Sequence, residues 1–407
     1  MEPRPQDVGS AMDLYEYDAR LGRPATTKIS EFNRGGRLKH VVFARQFDVE
    51  RLAALCKMAD MIRELAKTKA GSDALARLLS HKRAMLYFTQ PSTRTFLSFM
   101  AACQILGIPC SEVRDPRTSS AVKRESQFDS IRMFSSYFDV IIMRTEKPRL
   151  AECCAYLMND LESFNQRTVP VVNAGSGADE HPTQALLDIY TLQRTFDFDA
   201  TSSGPSARFL EMKQQYPDLT VGLANKTYAF CGDMGRGRTV RSLAQLLAQY
   251  ENVRLFFVSP NHPTLKLRDD IRESLVRAGI EVREFESLDD DVDGVPLLSA
   301  IDCLYTTRVQ REHDSEQDAL DFTQLDMSGC QLTLERVATM KEYAPILHPF
   351  PRDSVCQELP SAIDTDPRAM YFRQARNGVW ARAALLMHLF EIERELTQLY
   401  QEFFPGN

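Results

Sequence analysis

The sequence predicts an α/β chain of two doubly wound parallel-sheet domains joined by interdomain helices. Three observations carry that expectation. Short apolar runs alternate with helix-period segments from about residue 48 onward, and such alternation is the mark of parallel sheets covered on both faces. With 407 residues, the chain is longer than the ~250–300 residues at which one core stops growing. Residues 195–225 interrupt the alternation with small, polar and turn-forming residues, as an elaborated loop or a linker would.

Taken in order, residues 1–38 are polar and aperiodic, and are expected to be disordered or laid across the surface. From Asp48, a plausible N-cap, Leu52, Leu55, Cys56, Ile62 and Leu65 recur at helical spacing. Ala84–Phe88 reads as a buried strand, Thr95–Leu106 as a helix, and Val140–Met143 and Thr168–Val172 as strands before a helix at Gln184–Leu192. After the interruption come a strand at Tyr228–Cys231, a helix at Thr239–Tyr250 and a strand at Arg254–Val258. A helix at Leu265–Ala278 and strands near Ile301–Thr306 and Pro345–Leu347 follow, and Val379–Leu399 reads as one long amphipathic helix. The expected domains are a 1–38 extension, 39–185 with the C-terminal helix 376–401, and 186–375 carrying the 195–225 insertion.

Composition narrows the function classes. Basic residues number 49 and acidic residues 56, a net charge of −7, so no nucleic acid is expected as the partner, which would need a basic face. No stretch approaches the ~18 uncharged apolar residues of a membrane span, and the N-terminus lacks the apolar core of a signal peptide. Nine cysteines without a C-x-x-C pair point to reduced thiols in a cytoplasmic protein, with no metal site and no cofactor expected.

The chemistry concentrates where strands end. After Met85–Phe88 comes Thr89-Gln90-Pro91-Ser92-Thr93-Arg94-Thr95, then a helix. A helix N-terminus offers free N–H groups and a favourable dipole to an anion, and the hydroxyls and Arg94 add donors suited to phosphate. Ser and Thr there also fit an ordinary N-cap. Arg144 closes a strand at the edge where open α/β sheets bind ligands. His181 and Gln184, three apart at a helix start, share one face. Gly232-Asp233-Met234-Gly235-Arg236-Gly237-Arg238-Thr239 lies between a strand and a helix, but its glycines run G-x-x-G-x-G, against a dinucleotide site. Arg308 and Arg352 again follow strand signals, and several arginines on one sheet edge would suit a substrate with more than one carboxylate.

Ser92-Thr93-Arg94-Thr95, His181-Pro182-Thr183-Gln184 and His348-Pro349-Phe350-Pro351-Arg352 resemble, in order, the three signature segments of the aspartate carbamoyltransferases. The resemblance runs from about residue 40 to about residue 400. It implies a carbamoyl-phosphate-binding domain, 39–185 with 376–401, and an aspartate-binding domain, 186–375, with the active site in the cleft between them. It also implies transfer of the carbamoyl group of carbamoyl phosphate to L-aspartate, a step of pyrimidine biosynthesis. On this reading Ser92, Thr93, Arg94 and Thr95 hold the phosphate, while Arg144, His181 and Gln184 surround the carbamoyl group, with Thr95, Arg144 and His181 catalytic. Ser119 and Lys123 match a mobile loop that enters the neighbouring subunit's site, implying a homotrimer, and Lys123 reaches both substrates. Arg238, Arg308 and Gln310 match the aspartate-carboxylate site. Pro349 and Phe350 supply backbone carbonyls to the amine, and Arg382 and Arg352 are further candidates. A regulatory chain or pathway enzyme is compatible as an added partner.

The sequence departs from the pattern at Phe96 and Met100, where the family commonly has Arg and Glu, and at Phe350, where leucine is usual. The first two suit the exchange of a helix ion pair for an apolar contact. Two rivals stand beside this reading. One is an ornithine-type carbamoyltransferase, disfavoured by Arg238, Arg308 and Arg352. The other is a non-catalytic assembly subunit that keeps the fold.

Overall fold

A computed structural model describes residues 17–115, 126–176, 180–198, 206–310, 326–353 and 357–405. The expected loop residues Ser119 and Lys123 lie outside them. The chain divides into two units, Met1–Leu187 with Arg376–Asn407, and Asp188–Ala375.

The first unit opens its α/β part with α1 (Val49–Leu65), whose N-cap Asp48 accepts the Arg51 N–H through Oδ1 at 2.7 Å. Then come α2 (Lys69–Leu78), β1 (Ala84–Phe88), α3 (Thr93–Ile105), β2 (Cys110–Val113), α4 (Gln127–Tyr137), β3 (Val140–Arg144), α5 (Leu150–Ser163) and β4 (Val171–Asn173). The four strands run parallel in the order β2-β1-β3-β4. The central β1 is buried at every residue and β3 at all but Arg144, which is why both read as unbroken apolar runs. Helix α6 (Pro182–Phe196) leads out of this unit.

The second unit contains α7 (Ala207–Gln215), β5 (Thr227–Cys231), α8 (Arg238–Leu247), β6 (Arg254–Val258), α9 (Asp269–Arg277), β7 (Glu281–Phe285), β8 (Cys303–Thr306), α10 (Leu334–Thr339) and β9 (Ile346–Leu347). Its five strands are parallel in the order β9-β8-β5-β6-β7. The chain returns to the first unit along α11 (Tyr371–Leu389) and ends on α12 (Glu393–Phe403). Among the described residues, no helix is long and apolar enough to cross a membrane.

One stretch differs from the expectation and two add detail to it. The C-terminal amphipathic pattern is two helices, because Glu391 takes a left-handed conformation (φ 59°) and the Ile392 N–H turns back to the Met387 carbonyl at 3.2 Å. The interruption starts after Phe196, and its described part folds with the second unit: Phe209 packs on Phe198, and Phe198 and Tyr216 pack on Tyr343. Residues 17–38 do lie across a surface, that of α5, but they turn it into core. Tyr17 (6% exposed), Leu21 (4%) and Phe32 (0%) join the cluster that buries Leu150, Ala151, Cys154, Tyr156 and Met158. Lys28 is buried there too, donating to the Leu21 carbonyl at 3.0 Å and to the Glu152 carboxylate.

Candidate functional site

In the first unit the strand register aligns one edge. Phe88 pairs with Arg144 and Met143 with Asn173, so the segments leaving β1, β3 and β4 start side by side. Cross-bonds tie them: the Gln90 N–H donates to the Arg144 carbonyl (3.2 Å), Ala174 N–H to the Met143 carbonyl (2.8 Å), and Thr145 N–H to Ser176 Oγ (3.1 Å). Ser92–Thr95, Arg144, His181 and Gln184 are thereby brought to the same sheet edge.

Ser92 is the N-cap of α3 in extended conformation, yet its side chain makes no capping hydrogen bond. A helix N-terminus of this kind favours an anion through its N–H groups and its dipole. Arg94 is exposed and Thr95 buried (7%). The departure at Phe96 is absorbed by packing, since its ring stands edge-on to Phe88 at 5.4 Å with the Arg114 guanidinium 4.6 Å from its centre. Arg382 lies beneath this helix, 2% exposed and 4.9 Å from the Phe99 ring centre. It donates to Ser98 Oγ, and Ser98 Oγ donates to the Thr95 carbonyl at 3.0 Å. Arg382 therefore braces the first turn of α3 from below.

His181 (3% exposed) precedes α6, and its Nδ1 accepts the Gln184 N–H at 3.2 Å. An Nδ1 that accepts cannot carry a proton, so the neutral ring presents Nε2–H as a donor. Gly175 makes room for this ring: it has φ 92°, and a Cβ there would lie 2.5 Å from His181 Cδ2. Asn173 holds the turn, with Oδ1 accepting the Gly175 and Ser176 N–H groups at 3.0 and 2.9 Å, and Nδ2 donating to the Glu180 carbonyl at 3.1 Å.

The second unit gathers a separate cluster. The glycines of the Gly232–Gly237 turn serve close backbone approach. A Cβ would meet the Thr307 carbonyl oxygen at 2.1 Å from Gly232, the Thr264 carbonyl oxygen at 2.1 Å from Gly235, and the Asp233 carbonyl oxygen at 2.4 Å from Gly237. Arg238 is the first residue of α8. The fully buried Asp233 carboxylate ties this turn to the segment after β8: Oδ1 accepts the Arg236 N–H (3.0 Å), while Oδ2 accepts Arg236 Nε–H (3.0 Å) and the Gln310 N–H (3.1 Å). Burial pushes the Asp233 carboxyl above its ordinary range, and Arg236 with these bonds opposes the rise. Arg308, partly buried, donates to the Val309 carbonyl at 3.1 Å.

Pro349 and Phe350 form the turn after β9, and Phe350 sits at φ 55°. Arg352 pairs with Asp364 at 2.8 Å and lies 5.0–5.6 Å from the ring centres of Phe350, Tyr371 and Phe372. Its charge is taken up by holding the turn. Asp233, Asn173, Gly175 and Glu358 were not singled out from the sequence. A buried acid directly after a strand and inside a glycine-rich turn was the one local signal, at Asp233.

Comparison with known proteins agrees with this fold. Residues 39–194 match the aspartate/ornithine carbamoyltransferase carbamoyl-P binding domain, and residues 224–389 the Asp/Orn binding domain of the same group. The chain is 36% identical to an Arabidopsis thaliana chloroplastic aspartate carbamoyltransferase over 86% of its own length and 77% of the relative's. It is 33% identical to an aspartate carbamoyltransferase catalytic subunit of Clostridium novyi, over 87% and 99%. Among solved structures, a Trypanosoma cruzi aspartate transcarbamoylase in complex with carbamoyl phosphate and aspartate superposes with a TM-score of 0.71 at 29% identity, covering 89% of this chain and 98% of that one. The catalytic subunit of M. jannaschii aspartate transcarbamoylase gives 0.68 at 32% identity, covering 87% and 98%. With both domain models matched in order across two parallel-sheet units, the chain belongs to the aspartate/ornithine carbamoyltransferase family.

Proposed function

We propose that this carbamoyltransferase moves the carbamoyl group of carbamoyl phosphate to the amine of L-aspartate, giving N-carbamoyl-L-aspartate and phosphate. The observation that carries the reading is the bond from the Gln184 N–H into His181 Nδ1, which places the ring's proton on Nε2, beside the sheet edge shared with Arg144. Attack of the neutral amine on the carbonyl carbon builds negative charge on the carbonyl oxygen. Donors fixed in advance at that oxygen lower the barrier most, and Thr95, Arg144 and His181 are the residues assigned to it. Ser92, Thr93, Arg94 and the N-terminus of α3 hold the phosphate, with Gln184 beside the carbamoyl group. As the tetrahedral intermediate collapses, the C–O bond to phosphate breaks and the phosphate takes the amine proton.

Arg238, Arg308 and Gln310 are assigned to the substrate carboxylates, and Pro349 and Phe350 to the amine. Names of relatives such as those from Arabidopsis thaliana and Clostridium novyi favour aspartate over ornithine. Phosphate release from carbamoyl phosphate with a panel of amino acids tests this. Release with aspartate and not with ornithine is the expected result, and the reverse pattern overturns it. The same proposal includes a homotrimer in which Ser119 and Lys123 serve the neighbouring site, and a cytoplasmic location. Light scattering at the mass of a monomer would remove the trimer, and fractionation into an organelle would remove the location.

Asp233 gives a further expected outcome. Asp233→Asn retains one acceptor oxygen for N–H groups that now reach two, so either the Arg236 or the Gln310 contact is lost. A hydrogen bond to a charged group contributes about 1.5–3 kcal/mol, so kcat/KM for aspartate should fall roughly tenfold or more. Calorimetry should show carbamoyl phosphate binding unchanged.

A further inference from the structure

We infer that the buried His348–Glu358 pair is the positioning device for the Pro349–Phe350 turn, and thereby sets the affinity for the amine substrate. The inference rests on the function proposed above.

His348 is 1% exposed and Glu358 3%. The imidazole bridges two parts of the turn: Nδ1 accepts the Phe350 N–H at 2.8 Å, and Nε2 lies 3.0 Å from Glu358 Oε1. Because Nδ1 accepts, the ring's proton sits on Nε2 and donates to the carboxylate. The same carboxylate accepts the Asp353 N–H, at 3.0 Å through Oε1 and 3.2 Å through Oε2. Glu358 thus holds the turn at its far end directly and at its near end through the imidazole. The start of the turn is fixed from the other side. The His348 N–H donates to Gln374 Oε1 at 2.9 Å, and Gln374 Nε2 donates to Asp188 Oδ1 at 2.7 Å.

This bracing meets a specific need. Phe350 has a left-handed backbone conformation that a bulky residue rarely adopts, and such a conformation persists only where its surroundings over-determine it. The His348 Nδ1 bond fixes the N–H of that very residue, and so fixes the peptide plane that carries the Pro349 carbonyl assigned to the amine. The pair is buried behind the turn and acts through it.

Kinetics on the full chain separate this role from general stability, with aspartate varied at saturating carbamoyl phosphate. Glu358→Ala removes the carboxylate that accepts the His348 Nε2–H and the Asp353 N–H. The aspartate KM should rise roughly tenfold or more, while carbamoyl phosphate affinity by calorimetry stays within about twofold. Glu358→Gln keeps an acceptor oxygen and should restore KM to within about threefold of the parent. An unchanged KM in Glu358→Ala, or a Glu358→Gln variant as impaired as the alanine one, overturns the inference. Should Glu358→Ala yield no folded protein, His348→Asn carries the test. Its amide oxygen can still accept the Phe350 N–H, but the tie to Glu358 is cut, and an aspartate KM equal to the parent's refutes the pair's role. A parent enzyme that fails to carbamoylate aspartate refutes the proposed function instead.

Discussion

Arg144→Ala is expected to cut turnover by a factor on the order of 100 or more, the usual cost of removing one donor to a developing oxyanion. Arg144 stands at the C-terminal end of β3, paired with Phe88 and one residue past the level of Asn173. Its backbone carbonyl, which accepts the Gln90 N–H, survives the substitution, so the α3 approach and the unfolding midpoint should hold. A donor used chiefly in the transition state lowers kcat and kcat/KM together. Arg144→Lys keeps a charge but loses the planar fork, and should fall between parent and alanine. Stopped assays of carbamoyl aspartate formation measure all three, and near-normal turnover in Arg144→Ala would remove the residue from the mechanism.

Much of this first cluster was legible in the sequence, because each part is local. A strand, a short turn and a helix start are contiguous at Ala84–Thr95, and Arg144 follows four buried apolar residues. The supports were hidden. Asn173 and Gly175 act through the imidazole of His181, six to eight positions on. Arg382 acts through Ser98, which is 284 positions away. Glu358 looks like any acid in a loop until His348 is found against it. Single-sequence reading finds groups that carry charge at a strand end, and misses those whose effect passes through a second residue.

The same division runs through the fold. The buried parallel strands announce themselves as apolar runs, and Asp48 as a cap. The break at Glu391 does not, since a left-handed helix end is usually marked by Gly or Asn and here the residue is Glu. Helix α5 was equally opaque. It starts after Arg149, itself left-handed (φ 63°), and it is buried nearly all round, so no polar face gives it a period. Its cover comes from residues 17–38, more than a hundred positions upstream.

That cover yields the second large effect. Lys28→Ala is expected to destabilise the protein by about 3 kcal/mol, the low end of what breaking a buried ion pair costs. Lys28 is 2% exposed and Glu152 4%, and removing the ammonium leaves the carboxylate buried, with Arg149 at 3.6 Å as a further ion-pair partner. Arg149 keeps the cost from reaching the upper end. The loss also frees the Leu21 carbonyl bond and loosens a segment whose Tyr17, Leu21 and Phe32 seal α5. Against a total stability of about 5–15 kcal/mol, this is a large fraction, and urea unfolding would show it as a lower midpoint. The paired change Lys28→Met with Glu152→Met should recover most of the loss, because apolar residues of similar volume replace a buried pair at little net cost. If Lys28→Ala unfolds at the parent's midpoint, the segment contributes nothing to the stability of α5 through this contact, and its packing there is incidental.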